Sequence, residues 1–142
     1  MFHFVLVSIS GKKFDEQVYE VILPTLDGEI GVLSRHMPLV SVAKPGIITV
    51  RRSSKDSESD QEYFATNGGA IEVADNTMRV LVDEADHADE INEAEARKAL
   101  DRAEKMRAEA KDQVSLEHAQ QMIDRQAVRL QVANIRRRHK HN

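Results

Sequence analysis

The strongest constraint on this chain is a change of texture near Asp86: every proline and glycine lies before it, and neither occurs again up to residue 142. Alanine becomes frequent over the same stretch. A backbone punctuated by turn-formers and then freed of them describes two kinds of structure in succession, short strands first and helices after.

In the first part, apolar and β-branched runs occur at Phe2 to Ile9, Val18 to Leu23, Gly46 to Val50, Tyr63 to Thr66, Ala70 to Val73 and Thr77 to Val82. Between them stand Gly11, Pro24, Asp27-Gly28, Pro45-Gly46, Asn67-Gly68-Gly69 and Asp75-Asn76, residues that supply the backbone angles of tight turns. Short strands at this spacing predict a β-sandwich or flattened barrel. The serine-rich stretch from Ser53 to Gln61 reads as an exposed hairpin loop.

In the second part, Ile91, Ala94, Ala99, Ala103, Met106 and Ala110 recur at helical spacing, as do Leu116, Ala119, Ile123, Ala127 and Leu130. Two helices are expected, with the corner at Asp112 to Ser115 and Ser115 as the N-cap of the second. The expected architecture is an all-β N-terminal unit over residues 1–86 and an antiparallel two-helix hairpin over residues 87–142. Facing stripes of alanine bury little area per methyl group, so the hairpin is expected to be marginally stable alone and able to take two arrangements.

A length of 142 residues with 41% hydrophobic content supports one modest core and a smaller packed unit beside it. The absence of cysteine excludes disulfides and thiolate metal sites. The N-terminus alternates like a strand and lacks a basic leader, and no segment approaches the roughly 20 apolar residues of a membrane-spanning helix. The net charge of -4 is unevenly placed, with an acidic stretch from Asp83 to Glu95 and a basic end from Arg136 to His141. That asymmetry, with only 4% aromatic residues, argues against a general nucleic-acid binder.

No catalytic constellation emerges. Asp27, Ser34 and His36 are the residue types of a nucleophilic triad, but Ser34 lies outside a G-x-S-x-G elbow and the three crowd one short segment. His3, His36, His87, His118, His139 and His141 show no metal-ligand spacing, and no cofactor is expected. Gly68-Gly69 lacks the lysine and helix of a phosphate loop and reads as a turn. The run Arg136, Arg137, Arg138 suits an acidic partner, yet cations also favour a helix C-terminus and solubility.

The order of motifs goes further. Leu26-Asp27-Gly28-Glu29-Ile30-Gly31-Val32-Leu33, then His36, Pro38, Leu39 and Lys44-Pro45-Gly46, resembles the N-terminal signature of the epsilon subunits of F-type ATP synthases. Asn67 to Val73 and Val80 to Ala85 resemble the end of the same β-domain, and Ile91 to Ala99 the start of the family's first C-terminal helix. Ser34, Arg35 and Met37 depart from the proline, glycine and alanine usual in the family. Asn92 and Glu95 replace the aspartate and arginine of its Ile-Asp-x-x-Arg-Ala nucleotide motif, leaving a degenerate version at Ile91, Asn92, Glu95 and Ala96. A carboxylate in place of that cation repels phosphate, so weak or absent ATP binding is expected.

The resemblance implies a non-catalytic rotor subunit of the central stalk, coupling the gamma subunit to the membrane c-ring, with the loop of Glu29 and His36 at the ring. It implies a peripheral position on the cytoplasmic face of a bacterial plasma membrane, reached only through the complex. It also implies a regulatory hairpin, permissive when compact. When extended, it would bring Arg125, Arg129, Arg136, Arg137 and Arg138 to acidic surfaces of the beta subunits and oppose ATP hydrolysis. The alternatives are a non-enzymatic adaptor using the basic C-terminal helix on an unknown partner, and a small unrelated hydrolase built on Ser34 and His36.

Overall fold

The structure, a computed structural model, describes residues 1–140, so His141 and Asn142 lie outside it. Ten strands come first: β1 (Phe2–Ser8), β2 (Gly11–Val18), β3 (Glu20–Thr25), β4 (Gly28–Leu33), β5 (Leu39–Ala43), β6 (Gly46–Arg51), β7 (Glu62–Thr66), β8 (Gly69–Ala74), β9 (Thr77–Val82) and β10 (Ala85–His87). A 3-10 turn (Ala88–Glu90), helix α1 (Glu93–Glu109) and helix α2 (Gln113–Lys140) follow. The β-sandwich and helical hairpin expected from the sequence are both present.

The strands hydrogen-bond in the order β10-β7-β6-β3-β5-β8-β9-β1-β2, with β4 paired to β3. The passage from β3 to β5 rests on the single partnership Thr25↔Ala43, and there the sheet folds over into two layers. One layer is β4-β3-β6-β7-β10; the other is β5-β8-β9-β1-β2. On the far side, β2 and β7 are joined by side chains: Phe14 meets Phe64 edge-on with centroids 6.1 Å apart, and Arg52 pairs with both Glu16 and Glu62 at 2.8 Å. The result is a nearly closed barrel.

The inward residues of both layers make the core. Along β1, Phe2, Phe4, Leu6 and Ser8 point in and His3, Val5 and Val7 point out. Phe2, Phe4, Leu6, Leu23, Ile48, Phe64, Ile71 and Met78 are fully buried between the layers. Each such side chain contributes about 1.5–3 kcal/mol by leaving water.

Four strands go beyond the sequence-based expectation. β2 is a charged edge strand in which only Phe14 and Val18 are buried, so it carries no apolar run. β4 and β5 bury one residue each, Val32 and Ala43, and β10 is three residues long. The loop between β6 and β7 is largely exposed, as expected, and contains a 3-10 turn over Glu58–Asp60.

The hairpin differs from expectation in its details. Ile91 is not helical; it closes the 3-10 turn and packs with Tyr63 and Ala65. α1 begins after Asn92, whose side chain accepts the Glu95 N–H at 3.0 Å. Asp112, rather than Ser115, opens α2: its carboxylate accepts the Ser115 N–H at 2.8 Å and its carbonyl the Leu116 N–H at 3.1 Å. On the hairpin, Ala96, Ala103 and Ala119 are buried, while Ala94 and Met106 face solvent.

Candidate functional site

α2 carries Arg125, Arg129, Val132, Ala133 and Arg136 on one face, because steps of three and four residues return to the same side of a helix. That face lies on β7, β6 and the segment from Glu84 to Glu93. Val132 and Ala133 are buried against Tyr63, Ala65, Ala88 and Ile91, with Ile47, Val128 and Ile135 at the margin.

Around this small apolar seam runs a ladder of opposite charges. Arg125 pairs with Glu84. Arg129 Nε lies 3.3 Å from Asp86 Oδ2 on β10. Arg136 Nη1 lies 3.5 Å from Asp89 Oδ1 and donates to the Ala88 carbonyl at 3.2 Å. Arg137 Nη1 lies 3.2 Å from Glu93 Oε1 at the start of α1. The Nε atoms of Arg125, Arg129 and Arg136 are shielded from solvent and have no hydrogen-bond partner among the described residues, a cost set against the charge pairing.

Beyond the ladder, the His139 ring stacks obliquely 5.8 Å from Tyr63, and Arg138 stands nearby at the surface. Burial pushes the Tyr63 hydroxyl above its ordinary pKa, with Glu58 adding to the rise and Arg138 opposing it. The joint itself is tied to the sandwich. His87 Nδ1 accepts the Asp89 N–H at 3.0 Å, its Nε2 lies 3.2 Å from Glu62 Oε1, and Glu90 accepts the His87 N–H at 3.1 Å.

The two outer faces of the sandwich are unequal. α2 covers part of the first layer. On the second, Val42, Ala70, Leu81 and Val7 form a continuous row across β5, β8, β9 and β1, by the registers Val42↔Ala70, Ala70↔Leu81 and Val7↔Leu81. Val40, Val42 and Leu81 are 82%, 49% and 57% exposed. Alongside runs a mixed row of Val40, Glu72, Arg79 and Val5, in which Arg79 and Glu72 lie 3.6 Å apart. Contiguous exposed apolar side chains in a polar frame are a candidate interaction surface.

Glu29 and His36 do not share a loop. Glu29 pairs with Pro24 beside the β3–β4 turn, whereas His36 follows Leu33, which pairs with Glu20 at the far end of the strand. Glu29 lines a surface shelf with Ile22, Thr49, Ile135 and Arg138. His36 contacts the Met37 carbonyl at 2.7 Å within its own loop, and Ser34 donates to the Met1 carbonyl at 3.1 Å, tying that loop to the N-terminus. The degenerate motif is likewise engaged: Ile91 in the apolar seam, Asn92 as the cap of α1, Ala96 between the helices, with Glu95 exposed. Among the described residues no group of three or more His, Asp or Glu side chains could hold a metal, and no helix is long and apolar enough to cross a membrane.

The acidic partners Glu84, Asp86, Asp89 and Glu93 and the bare row on the second layer were not singled out from the sequence. The signal for the ladder was present: an acidic run, and arginines of opposite sign at helical spacing.

A sandwich with one outer face occupied by a clamped hairpin and the other left bare is an interaction module, built to meet other chains through its surfaces. The family model described as ATP synthase, Delta/Epsilon chain, beta-sandwich domain matches residues 1–88, and the chain belongs to that family. Similar proteins include the ATP synthase epsilon chain of Xanthomonas campestris pv. campestris (strain B100), 39% identical over 80% of this chain and 79% of the relative. That of Thioalkalivibrio sulfidiphilus is 33% identical over 97% and 96%. Among solved structures, a chain of the Euglena gracilis mitochondrial ATP synthase, captured with OSCP, F1 and c-ring, has the same fold. Its TM-score is 0.76 at 22% identity, over 92% of this chain and 79% of that one. A chain from the Tetrahymena thermophila mitochondrial ATP synthase central stalk and c-ring gives a TM-score of 0.59 at 18% identity.

Proposed function

We propose that this chain is a non-catalytic central-stalk subunit of an F-type ATP synthase, joining the gamma subunit to the c-ring and regulating hydrolysis through residues 87–142. The observation that carries the reading is the bare apolar row Val42, Ala70, Leu81, Val7 on a rigid sandwich, within a chain whose relatives are ATP synthase epsilon chains. A rotor part must transmit torque without slipping, which calls for a well-packed body and a broad interface. The row is assigned to gamma. Glu29, beside the β3–β4 turn, is assigned to polar loops of the ring, and His36, at the other end of β4, to ordering its own loop.

In this reading the structure is the compact, permissive arrangement, with Arg125, Arg129, Arg136 and Arg137 paired within the chain. Extension of the hairpin would free those arginines, with Arg138, for acidic surfaces of the beta subunits. The complex would hold the chain at the cytoplasmic face of a bacterial plasma membrane.

Co-purification of the full-length chain with recombinant gamma subunit from the same source tests the rotor role. Stoichiometric binding is expected, and Leu81→Glu or Val42→Glu should abolish it while leaving the circular dichroism spectrum and melting temperature unchanged. Absence of binding by the unaltered chain would return the protein to an adaptor of unknown partner.

A further inference from the structure

We infer that the segment from Glu84 to Glu93 and the arginines of α2 form an electrostatic latch that holds the hairpin compact without any ligand, so that ionic strength sets its release. The inference deepens the two-state reading above and rests on it for its functional meaning, although the latch can be tested without it.

The acidic side of the ladder is the joint itself. Glu84 precedes β10, Asp86 lies in it, Asp89 sits in the 3-10 turn and Glu93 opens α1. The basic side spans Arg125 to Arg137, roughly 18 Å of helix. The far arm of the hairpin therefore closes back onto its own hinge, and the rungs at Glu84, Asp86 and Asp89 must part when α2 leaves the sandwich, whereas Arg137 and Glu93 both belong to the hairpin. α1 packs chiefly on α2 and supplies little independent attachment.

The apolar part of the contact is modest, since its buried α2 members are one valine and one alanine. The charged part is sensitive to its surroundings. The side chains of Arg125 and Glu84 are 39% and 42% exposed, so solvent ions reach them, while those of Arg129 and Asp86 are 20% and 27% exposed and are better shielded. The ladder also uses the cations that a bound polyphosphate would need, and Glu95 adds a negative charge at the head of α1. A latch made this way answers to salt and to competing charged surfaces.

The test uses the isolated full-length chain, which has no cysteine of its own, labelled with a donor and an acceptor at introduced Asp27→Cys and Gln131→Cys. Single-molecule energy transfer reads the compact and open populations directly. Raising salt from about 0.1 M to about 1 M, which shortens the screening length from roughly 10 Å to roughly 3 Å, should raise the open fraction several-fold. Arg129→Glu should raise it about tenfold, combining a lost pair with a new repulsion, and adding Asp86→Arg should restore compactness. Arg136→Glu with Asp89→Arg provides a second exchange should the first disturb β10. Populations unmoved by salt and by both single reversals would overturn the latch, as would openings that neither charge exchange reverses. A latch that opens while ATP hydrolysis by the assembled enzyme stays constant would sink the regulatory reading and leave the latch standing.

Discussion

Arg129 Nε and Asp86 Oδ2 meet at 3.3 Å across the joint between the last helix and the last strand, and theirs is the least exposed arginine pair of the ladder. Partial burial matters because it raises the strength of an ion pair and the cost of leaving either member alone. Arg129→Ala and Asp86→Ala should each destabilise the chain by about 1–2 kcal/mol, with a coupling of about 1 kcal/mol between them. The same cycle at Arg137 and Glu93, where the arginine is 56% exposed, should give a few tenths at most. Urea unfolding of the four variants of each cycle measures both values, and equal coupling at the two sites would contradict the ranking.

The aromatic closure of the barrel sets a second expectation. Phe4, Phe14 and Phe64 form a chain of rings with centroids 5.6 Å and 6.1 Å apart, linking the two layers where no backbone pairing does. Phe64→Ala should cost about 3–5 kcal/mol and Phe14→Ala somewhat less, because Phe14 lies closer to the surface. A thermal melt that leaves Phe64→Ala as stable as the unaltered chain would show that the layers are held mainly elsewhere.

Much of this fold is legible in the sequence because the six apolar runs coincide with strands and most of the turn residues fall between strands or at their first positions; Pro24 is the exception, lying within β3 and paired with Glu29. β2 is illegible for a physical reason: an edge strand needs charges facing solvent, and only Phe14 and Val18 of Gly11–Val18 turn inward. The bare face is hidden for the opposite reason. β1 is apolar on both sides, so Val5 and Val7 cannot be told from Phe4 and Leu6 until the layers are assembled. The ladder lies between these cases. Its two charge blocks are plain in the sequence, but which carboxylate meets which arginine depends on where the hairpin folds back, and that is decided by Val132 and Ala133 seating on β7 and the 3-10 turn.

Asn67-Gly68-Gly69 shows how a turn can be read correctly while its demands stay unseen. Gly68 adopts φ +100, and a Cβ at Gly69 would stand 2.0 Å from the Leu81 carbonyl oxygen on the paired strand. Backbone cannot withdraw as the tip of a side chain can. Gly69→Ala should therefore cost about 2 kcal/mol or more by forcing β8 from β9, whereas Gly11→Ala, with open space around it, meets only the strain of its φ. Comparison of the two denaturation midpoints checks the difference.

Acid should loosen the hairpin. Burial pushes the Glu90 carboxyl up, but the His87 N–H and the Lys13 ammonium outweigh it and hold Glu90 below its ordinary value; the Ser115 N–H does the same for Asp112. A carboxylate depressed in the folded state gives stability that is full above its unfolded pKa and lost as pH falls through the folded one. Helical signal should fall between about pH 5 and about pH 2. In the combined Glu90→Gln and Asp112→Asn variant, which keeps hydrogen-bonding side chains without the charge, that acid dependence should flatten. A helical signal with the same acid profile in both chains would place the sensitive groups elsewhere.

Nucleotide binding is the property on which this chain should part from family members that carry the intact motif. Glu95 stands at the head of α1 where that motif has an arginine, and Asn92 already uses its side-chain oxygen to cap the helix through the Glu95 N–H. Arg125 and Arg129, the cations best placed to compensate, are paired with Glu84 and Asp86. An approaching triphosphate would have to displace two carboxylates and tolerate a third. Calorimetric titration of the isolated chain with ATP should give no saturable signal below about 1 mM, which corresponds to less than about 4 kcal/mol of binding free energy. Asp86→Asn combined with Glu95→Arg should create measurable affinity, because it frees Arg129 and exchanges a repulsive charge for an attractive one. A clear sub-millimolar signal from the unaltered chain would mean that the ladder yields to phosphate, and the hairpin would then answer to nucleotide as well as to salt.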